Sequence, residues 1–126
     1  MTQSFDLAWI VVKDIKEAVK FYTETVGLKL LKLHEEFGWA ELQGPSGGAM
    51  LGIAQENNND PIKAGNNACL TFTVENLEKS RDSFLQKGAK FLGEIIEVPG
   101  HVKLLTGVDG DGNHFQLAQM LDKSCC

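Results

Sequence analysis

The chain repeats one pattern of predicted elements in each of its halves. The strand-like run LAWIVV at 7–12 precedes a helical run ending at Phe21-Tyr22, and CLTFTV at 69–74 precedes one ending at Phe84-Leu85. In both halves a glycine follows the helical run, and two strand-like runs, a glycine-rich turn and a last apolar run come next. Internal repetition is a stronger guide to architecture than local propensity. The repeat predicts an α+β fold of two tandem βαβββ modules.

Turn and linker signals set the predicted boundaries within this single domain. Module one spans 5–54, an asparagine-rich linker spans 55–66, module two spans 67–120, and a frayed tail spans 121–126. Asp14 and Asn76 are predicted N-caps, because their side-chain oxygens suit the free N–H groups at a helix start. A module of roughly 60 residues buries too little surface to be stable alone, so the two halves are expected to fold together.

Composition excludes several classes of protein. The net charge of −5 argues against a nucleic-acid partner, which requires a basic face. No apolar run approaches the roughly 18 residues of a membrane span, and the N-terminus lacks a secretory signal pattern, so we expect a cytoplasmic protein with no membrane partner. The cysteines form no C-x-x-C pair. We expect Cys69, in the middle of a strand, to be buried and reduced.

Strand alternation predicts the candidate site. Successive side chains of a strand face opposite sides of a sheet, so Ala8, Ile10 and Val12 are expected to face a helix, and Leu7 and Trp9 the opposite side. Phe37 is expected to share a face with Trp39. Aromatic and aliphatic walls with a few polar groups are typical of a small-molecule pocket, although the same side chains could fill the interior or a dimer core. The predicted ligand-binding residues are Leu7, Trp9, Trp39, Glu41, Leu51, Cys69, Thr71, His114 and Gln116.

Two motifs resemble those of a known family. The string VVKDIKEAVKFYTETVGLKL at 11–30 resembles the opening signature of the glyoxalase/bleomycin-resistance/dioxygenase group, the vicinal oxygen chelate superfamily. The string DGDGNHFQL at 109–117 resembles the D-P-D-G-N-x-x-E-L motif of the same group. Together with the repeat, the resemblance covers nearly the whole chain. It implies a curved mixed sheet around a cup, helices on the outside, and a homodimer.

The resemblance also implies a divalent metal, held by His or Gln from the two first strands and Glu from the two last strands. Carried over to this chain, the first-strand positions fall on Leu7 and Cys69, and the last-strand positions on Leu51 and Gln116. Leucine cannot bind a metal, so we expect no cofactor and assign no catalytic residue. The alternative is a displaced divalent metal at His114, Gln116 and Glu41, with or without Cys69.

Three functions remain open at this point. The favoured one is a metal-free protein that binds a small molecule, similar to the bleomycin-resistance branch. The second is a metal-dependent lyase, isomerase or dioxygenase similar to lactoylglutathione lyases, with a metal-free enzyme using His114, Glu41 or His101 as its acid or base. The third is a structural or regulatory dimer whose cup is filled by its own side chains.

Overall fold

The computed structural model describes residues 1–121, which form two compact units. The first unit is Met1–Asn67, and the second begins at Ala68. From residue 122 onward the predicted tail lies outside the described residues, whereas the Leu121 N–H donates to the His101 carbonyl at 2.8 Å. Within residues 1–121, no helix is long and apolar enough to cross a membrane.

Each unit is a βαβββ module, which confirms the α+β fold predicted from the repeat. The first contains β1 (Leu7–Val12), α1 (Ile15–Lys20), a π-helical turn (Phe21–Thr25), β2 (Lys29–His34), a 3₁₀ turn (Glu35–Phe37), β3 (Trp39–Gly44) and β4 (Gly47–Gln55). The second contains β5 (Cys69–Thr73), α2 (Leu77–Gln86), β6 (Lys90–Val98), β7 (Val102–Val108) and β8 (His114–Met120).

The two sheets have the same topology. Their strand orders are β1-β4-β3-β2 and β5-β8-β7-β6. In each sheet the first and last strands of the module run parallel, and the other neighbours are antiparallel. Both sheets are therefore mixed, and in each sheet the last strand of the module lies next to its first strand.

Both helices begin as their sequences predict. The Asp14 carboxylate accepts the backbone N–H groups of Lys16 and Glu17 at 3.0 and 3.2 Å. The Asn76 side chain accepts the Lys79 N–H at 3.0 Å. These bonds satisfy donors that have no partner within the helix, so both predicted N-caps are confirmed.

The core of the first unit lies between α1 and one face of its sheet. The helix packs against β3 and β4, and its continuation buries Tyr22 completely. Alternate side chains of the strands share this face, and those that the helix covers are nearly inaccessible to solvent. They are Ile10, Val12, Ala40, Leu42, Leu51 and Ile53.

Aromatic side chains form the core of the second unit. The rings of Phe72, Phe84 and Phe91 each lie 5.9 to 6.1 Å from the ring of Phe115, which is completely buried. Gly107, the register partner of Phe115, makes this packing possible. A Cβ atom at Gly107 would stand 2.5 Å from Cζ of Phe115, far inside van der Waals contact.

In both units a glutamine near the end of the last strand accepts the backbone N–H of the first residue of the helix. Gln55 Oε1 accepts the Ile15 N–H at 3.1 Å, and Gln119 Oε1 accepts the Leu77 N–H at 2.8 Å. Ile15 and Leu77 are the first residues of α1 and α2, whose N–H groups have no partner within the helix. The recurring Ala-Gln dipeptide at 54–55 and 118–119 is the sequence signal of this device.

Replacing Gln119 by methionine is expected to lower the free energy of unfolding by about 0.5 to 1.5 kcal/mol, because the Leu77 N–H loses its acceptor while the side-chain shape is retained. Chemical denaturation measures the effect. Gln119→Glu is the matched control, since a carboxylate still accepts this bond. Equal stability of Gln119→Met and the natural protein would contradict the assignment.

The asparagine-rich segment 55–66, predicted as an exposed linker, is held by hydrogen bonds within itself and by the Glu56 N–H, which donates to the Val12 carbonyl of β1 at 2.7 Å. The Glu56 carboxylate accepts the Ala64 N–H at 2.8 Å, and Asn57 Oδ1 accepts the N–H groups of Asn59 and Asp60. Asn67 then accepts the Val11 N–H of β1 at 2.6 Å. Most of the segment is exposed, but Asn57 builds a turn within it, and Asn67, directly after it, satisfies a backbone donor of β1.

One ion pair joins α2 to β7 in the second unit. Lys103 Nζ donates to the Glu78 carboxylate at 3.0 Å. This hydrogen bond lowers the pKa of Glu78 below its ordinary value of 4.5 and raises the pKa of Lys103 above 10.5. The stabilisation by Glu78 is therefore present above pH 4.5 and is lost as the pH falls through its folded pKa.

Glu78→Gln is expected to lower the melting temperature slightly at neutral pH, because it replaces the charged acceptor of Lys103 by a neutral amide. The difference from the natural protein should shrink as the pH is lowered through the folded pKa of Glu78. Melting curves over acid pH measure this, with Glu75→Gln as a control that removes an exposed carboxylate. A difference independent of pH would contradict the ion-pair explanation.

Candidate functional site

Strand register defines the face of the first sheet that lies away from α1, here called the open face. Leu7 pairs with Met50, and Trp9 and Glu41 both pair with Gly52. Directly paired residues share a face, and alternate residues of one strand share it too, so Trp39 belongs with Glu41. The predicted common face of Leu7, Trp9, Trp39 and Glu41 is confirmed.

Leu51 does not belong to this face, which corrects its predicted position. It pairs with Ala8 and Leu42 on the helix side and is only 6% exposed. Ile53 lies on the helix side as well and is completely buried. Both faces of β4 carry apolar residues, so alternation alone cannot show which set faces the helix.

Two indole rings form a corner on the open face. The ring centroids of Trp9 and Trp39 are 6.2 Å apart, and the ring planes meet at 66°, an edge-to-face arrangement. Trp9 is 38% exposed, and Trp39 is half-buried. The corner therefore offers aromatic surface to solvent while its geometry is set by the contact between the rings.

Gly52 makes room for this corner, and sequence reasoning missed it. A Cβ atom there would stand 2.4 Å from Cη2 of Trp39 and 2.9 Å from Cβ of Trp9. Real contacts of this kind do not occur, so any side chain at this position would displace the Trp39 ring. A glycine inside a predicted strand was the available signal, since it often marks a close approach of another group.

Glu41 fixes the orientation of the Trp39 ring. Trp39 Nε1 donates to Glu41 Oε2 at 2.9 Å, and both residues are half-buried. The two side chains lie two residues apart on the same strand face, which brings them within reach of each other. We call Trp9, Trp39 and Glu41 together the indole corner.

The neighbouring strand β2 adds a lysine and a histidine to the open face. Lys32 pairs with Glu41, and His34 pairs with Trp39. His34 Nδ1 lies 3.6 Å from the Glu36 carboxylate, and its ring lies 5.8 Å from that of Phe37. Phe37 is in the 3₁₀ turn and is 77% exposed, so the predicted shared strand face of Phe37 and Trp39 is wrong.

The second sheet has its own open face, with a different chemistry. Cys69 pairs with His114, and Thr71 pairs with Gln116, so these four predicted residues share one face as expected. Cys69 is exposed, which corrects its predicted burial. The strand β5 is at an edge of its sheet, and the core of the unit lies on the other face, around Phe115.

Equivalent positions of the two units can be matched through their registers. Gly52 pairs with Trp9 and Glu41, and Gln116 pairs in the same way with Thr71 and Thr106. By the same rule Trp39 corresponds to Leu104, because each pairs with the alanine two residues further along the last strand. The indole corner is therefore not required by the fold, since the second unit builds the same strands with Thr71, Leu104 and Thr106.

These matches also correct which residue of β4 stands at the position of a metal ligand in the family. The position equivalent to Gln116 is Gly52, not Leu51, and the position equivalent to Cys69 is Leu7. Neither leucine nor glycine carries a donor atom, and the Trp39 ring fills the space next to Gly52. In residues 1–121 no group of three or more His, Cys, Asp or Glu side chains is placed to hold a metal ion. The residues at these positions do not fit the family's metal centre.

The fold and its two motifs define a duplicated βαβββ protein with altered metal-ligand positions. The chain matches the model of the Glyoxalase/Bleomycin resistance protein/Dioxygenase superfamily over residues 4–117 and belongs to that superfamily. No curated protein matches its sequence.

Solved structures share this fold at low sequence identity. TnmS3 from Streptomyces sp. CB03234, described as an antibiotic binding protein, has a TM-score of 0.77 and 22% identity, over 95% of this chain and 98% of its own. A superfamily member from Sphaerobacter thermophilus has a TM-score of 0.75 and 17% identity, over 94% and 98% of the two chains. An integron cassette protein from the Halifax Harbour sewage metagenome has a TM-score of 0.75 and 18% identity, over 94% and 100%. At these identities the likeness shows the fold alone.

Proposed function

We propose that this protein binds a small molecule at the indole corner and uses no resident catalytic metal. The observation that carries the proposal is the corner itself, two indole rings at 66°, of which the Trp39 ring lies over Gly52 and donates to Glu41. Aromatic walls with a few placed polar groups are what small-molecule sites commonly present. A ring held in place before binding also loses little conformational freedom when a ligand arrives.

Two further observations support binding rather than metal-dependent catalysis. The positions matched to metal ligands include Leu7 and Gly52, which have no donor atoms. A neighbour with the same fold, TnmS3, is described as an antibiotic binding protein. We extend that type of role to this chain, as a cytoplasmic homodimer. The other proposed ligand-binding residues are Leu7, on the same face as the corner, and Cys69, Thr71, His114 and Gln116, on the open face of the second sheet.

Ligand screening with the natural protein tests the proposal. Planar aromatic compounds are added in the presence of EDTA, and the melting temperature and tryptophan fluorescence are measured. A true ligand at 100 times its Kd should stabilise the protein by about 2.7 kcal/mol. Binding should weaken strongly in Trp9→Phe and Trp39→Phe and stay unchanged in Phe37→Ala, which removes an exposed ring outside the corner. Ligands whose binding is insensitive to both tryptophan variants would contradict the proposed site.

A second candidate function is a metal-dependent lyase, isomerase or dioxygenase with a displaced site. The observation in its favour is that Cys69, His114 and Gln116 share the open face of the second sheet, with Cys69 and His114 directly paired. A thiolate, an imidazole and an amide oxygen are donors that transition metals accept. Metal that binds the natural protein tightly and is lost in His114→Ala would favour this function.

A further inference from the structure

We propose that the indole corner binds the ammonium group of a small cationic ligand. This inference rests on the proposed function and names the class of ligand. It follows from the chemistry of three side chains in the first unit, Trp9, Trp39 and Glu41. The remainder of the ligand is not restricted by it.

The two indole faces provide the first part of such a site. A cation within about 6 Å of a ring centroid is attracted by the negative potential of the ring face, most strongly with tryptophan. The centroids of Trp9 and Trp39 are 6.2 Å apart, so one ammonium group in the corner can lie within that range of both rings.

Glu41 provides the second part. Its Oε2 accepts the Trp39 Nε1–H at 2.9 Å, which places a carboxylate at the edge of the indole. An ionised carboxylate has about four lone-pair sites, so one such bond leaves capacity for a ligand N–H or a close ammonium group. The charge is half-buried, where attraction to a cation is screened less than at the open surface.

Two further side chains of β2, Lys32 and His34, lie on the same face as the corner. Lys32, the register partner of Glu41, places a positive charge on the same face, which would repel a cationic ligand. His34, the register partner of Trp39, lies next to Glu36, at 3.6 Å. The proposal therefore predicts that Lys32→Gln binds a cationic ligand more tightly than the natural protein.

The second unit shows that the fold does not need this arrangement. Thr71, Leu104 and Thr106 stand at the positions of Trp9, Trp39 and Glu41. The substitutions Trp39→Leu and Glu41→Thr therefore introduce the residues that the second unit carries at the equivalent strand positions. They test the site with a low risk of unfolding the protein.

The test is a titration with choline and with its neutral carbon analogue, dimethylbutanol, followed by heteronuclear NMR. The chain has two tryptophans, so two indole Nε1–H signals report on the corner, and Trp9→Phe and Trp39→Phe assign them. Choline should shift both signals to saturation and bind at least about tenfold more tightly than the neutral analogue. Glu41→Gln, which keeps the shape and removes the charge, should weaken choline by about tenfold. Glu75→Gln, an exposed carboxylate of the second unit, should have no effect.

Equal affinity for choline and the neutral analogue, or unchanged choline affinity in Glu41→Gln, would overturn the inference. The absence of a saturable shift with choline would overturn it as well. If neutral aromatic compounds still bind in a manner that depends on Trp9 and Trp39, the proposed binding function stands and only the ammonium assignment fails. If no compound perturbs either indole signal, the proposed function fails too.

Discussion

Replacing Gly52 by alanine is expected to abolish ligand binding and to lower the free energy of unfolding by about 1 to 3 kcal/mol. The new Cβ atom would stand 2.4 Å from Cη2 of Trp39, so the indole must leave its position and lose its bond to Glu41. Alanine is better than glycine inside a strand by roughly 0.5 to 1 kcal/mol, but the overlap outweighs this gain. Denaturation, ligand titration and the Trp39 Nε1–H signal measure the effect.

A second substitution separates the overlap from other effects of the alanine. In Gly52→Ala/Trp39→Leu the large ring is gone, so part of the stability should return while ligand binding stays lost. Gly110→Ala is the matched control, because a Cβ atom at Gly110 meets no atom within 4 Å and its φ is not positive. If Gly52→Ala kept both the indole signal and the ligand affinity, the close packing of Trp39 on Gly52 would be refuted.

Leu51→Ala is expected to lower the free energy of unfolding by about 2 to 5 kcal/mol and to leave ligand affinity nearly unchanged. The side chain is 6% exposed and lies on the helix side of β4, so its removal leaves a cavity in the core of the first unit. Ligand affinity is measured below the unfolding transition, where the folded fraction is high.

Leu85→Ala provides the comparison for this variant. Leu85 is 50% exposed on α2, so the substitution should change stability by no more than about 0.5 kcal/mol. A large loss of ligand affinity in Leu51→Ala, with stability close to that of the natural protein, would contradict the register that places Leu51 in the core.

The repeat could be predicted because one pattern recurs in both halves of the chain, and the helix caps because their signals are local. Asp14 and Asn76 cap helices through their own side chains, and both are found in that role. Alternation in β5 also succeeded, because Thr71 and Thr73 alternate with Leu70 and Phe72. The strand β1 is apolar on both faces, and its helix side was predicted from its match to β5 in the repeat. Trp9 and Thr71 lie on the open faces, opposite the cores.

The site was predicted less completely, for reasons that lie in particular residues. Met50, Leu51, Gly52 and Ile53 give β4 no polar face, so the sequence did not show that Gly52 and not Leu51 faces Trp9. The importance of Gly52 comes from the space it leaves, which depends on a ring from another strand. Phe37 was misplaced because the 3₁₀ turn ends at Gly38 in a left-handed conformation, at φ 64°, before β3 begins.

The two open faces have diverged although the modules have kept the same strands. The residue of the last strand that pairs with both the first and the third strand is Gly52 in the first unit, where the Trp39 ring covers it. In the second unit the equivalent residue is Gln116. Cys69, His114 and Gln116 give the second unit a polar face where the first has Leu7, Met50 and Gly52.

The central claim, a ligand-binding protein without a resident metal, is tested most directly by the metal content of the natural protein. Protein purified without an affinity tag is analysed by elemental mass spectrometry for Zn, Ni, Fe and Mn. The account predicts that each metal is far below one ion per chain. Near-stoichiometric metal that is lost in His114→Ala or Cys69→Ala would contradict it and would make the displaced metal site of the second unit the leading hypothesis.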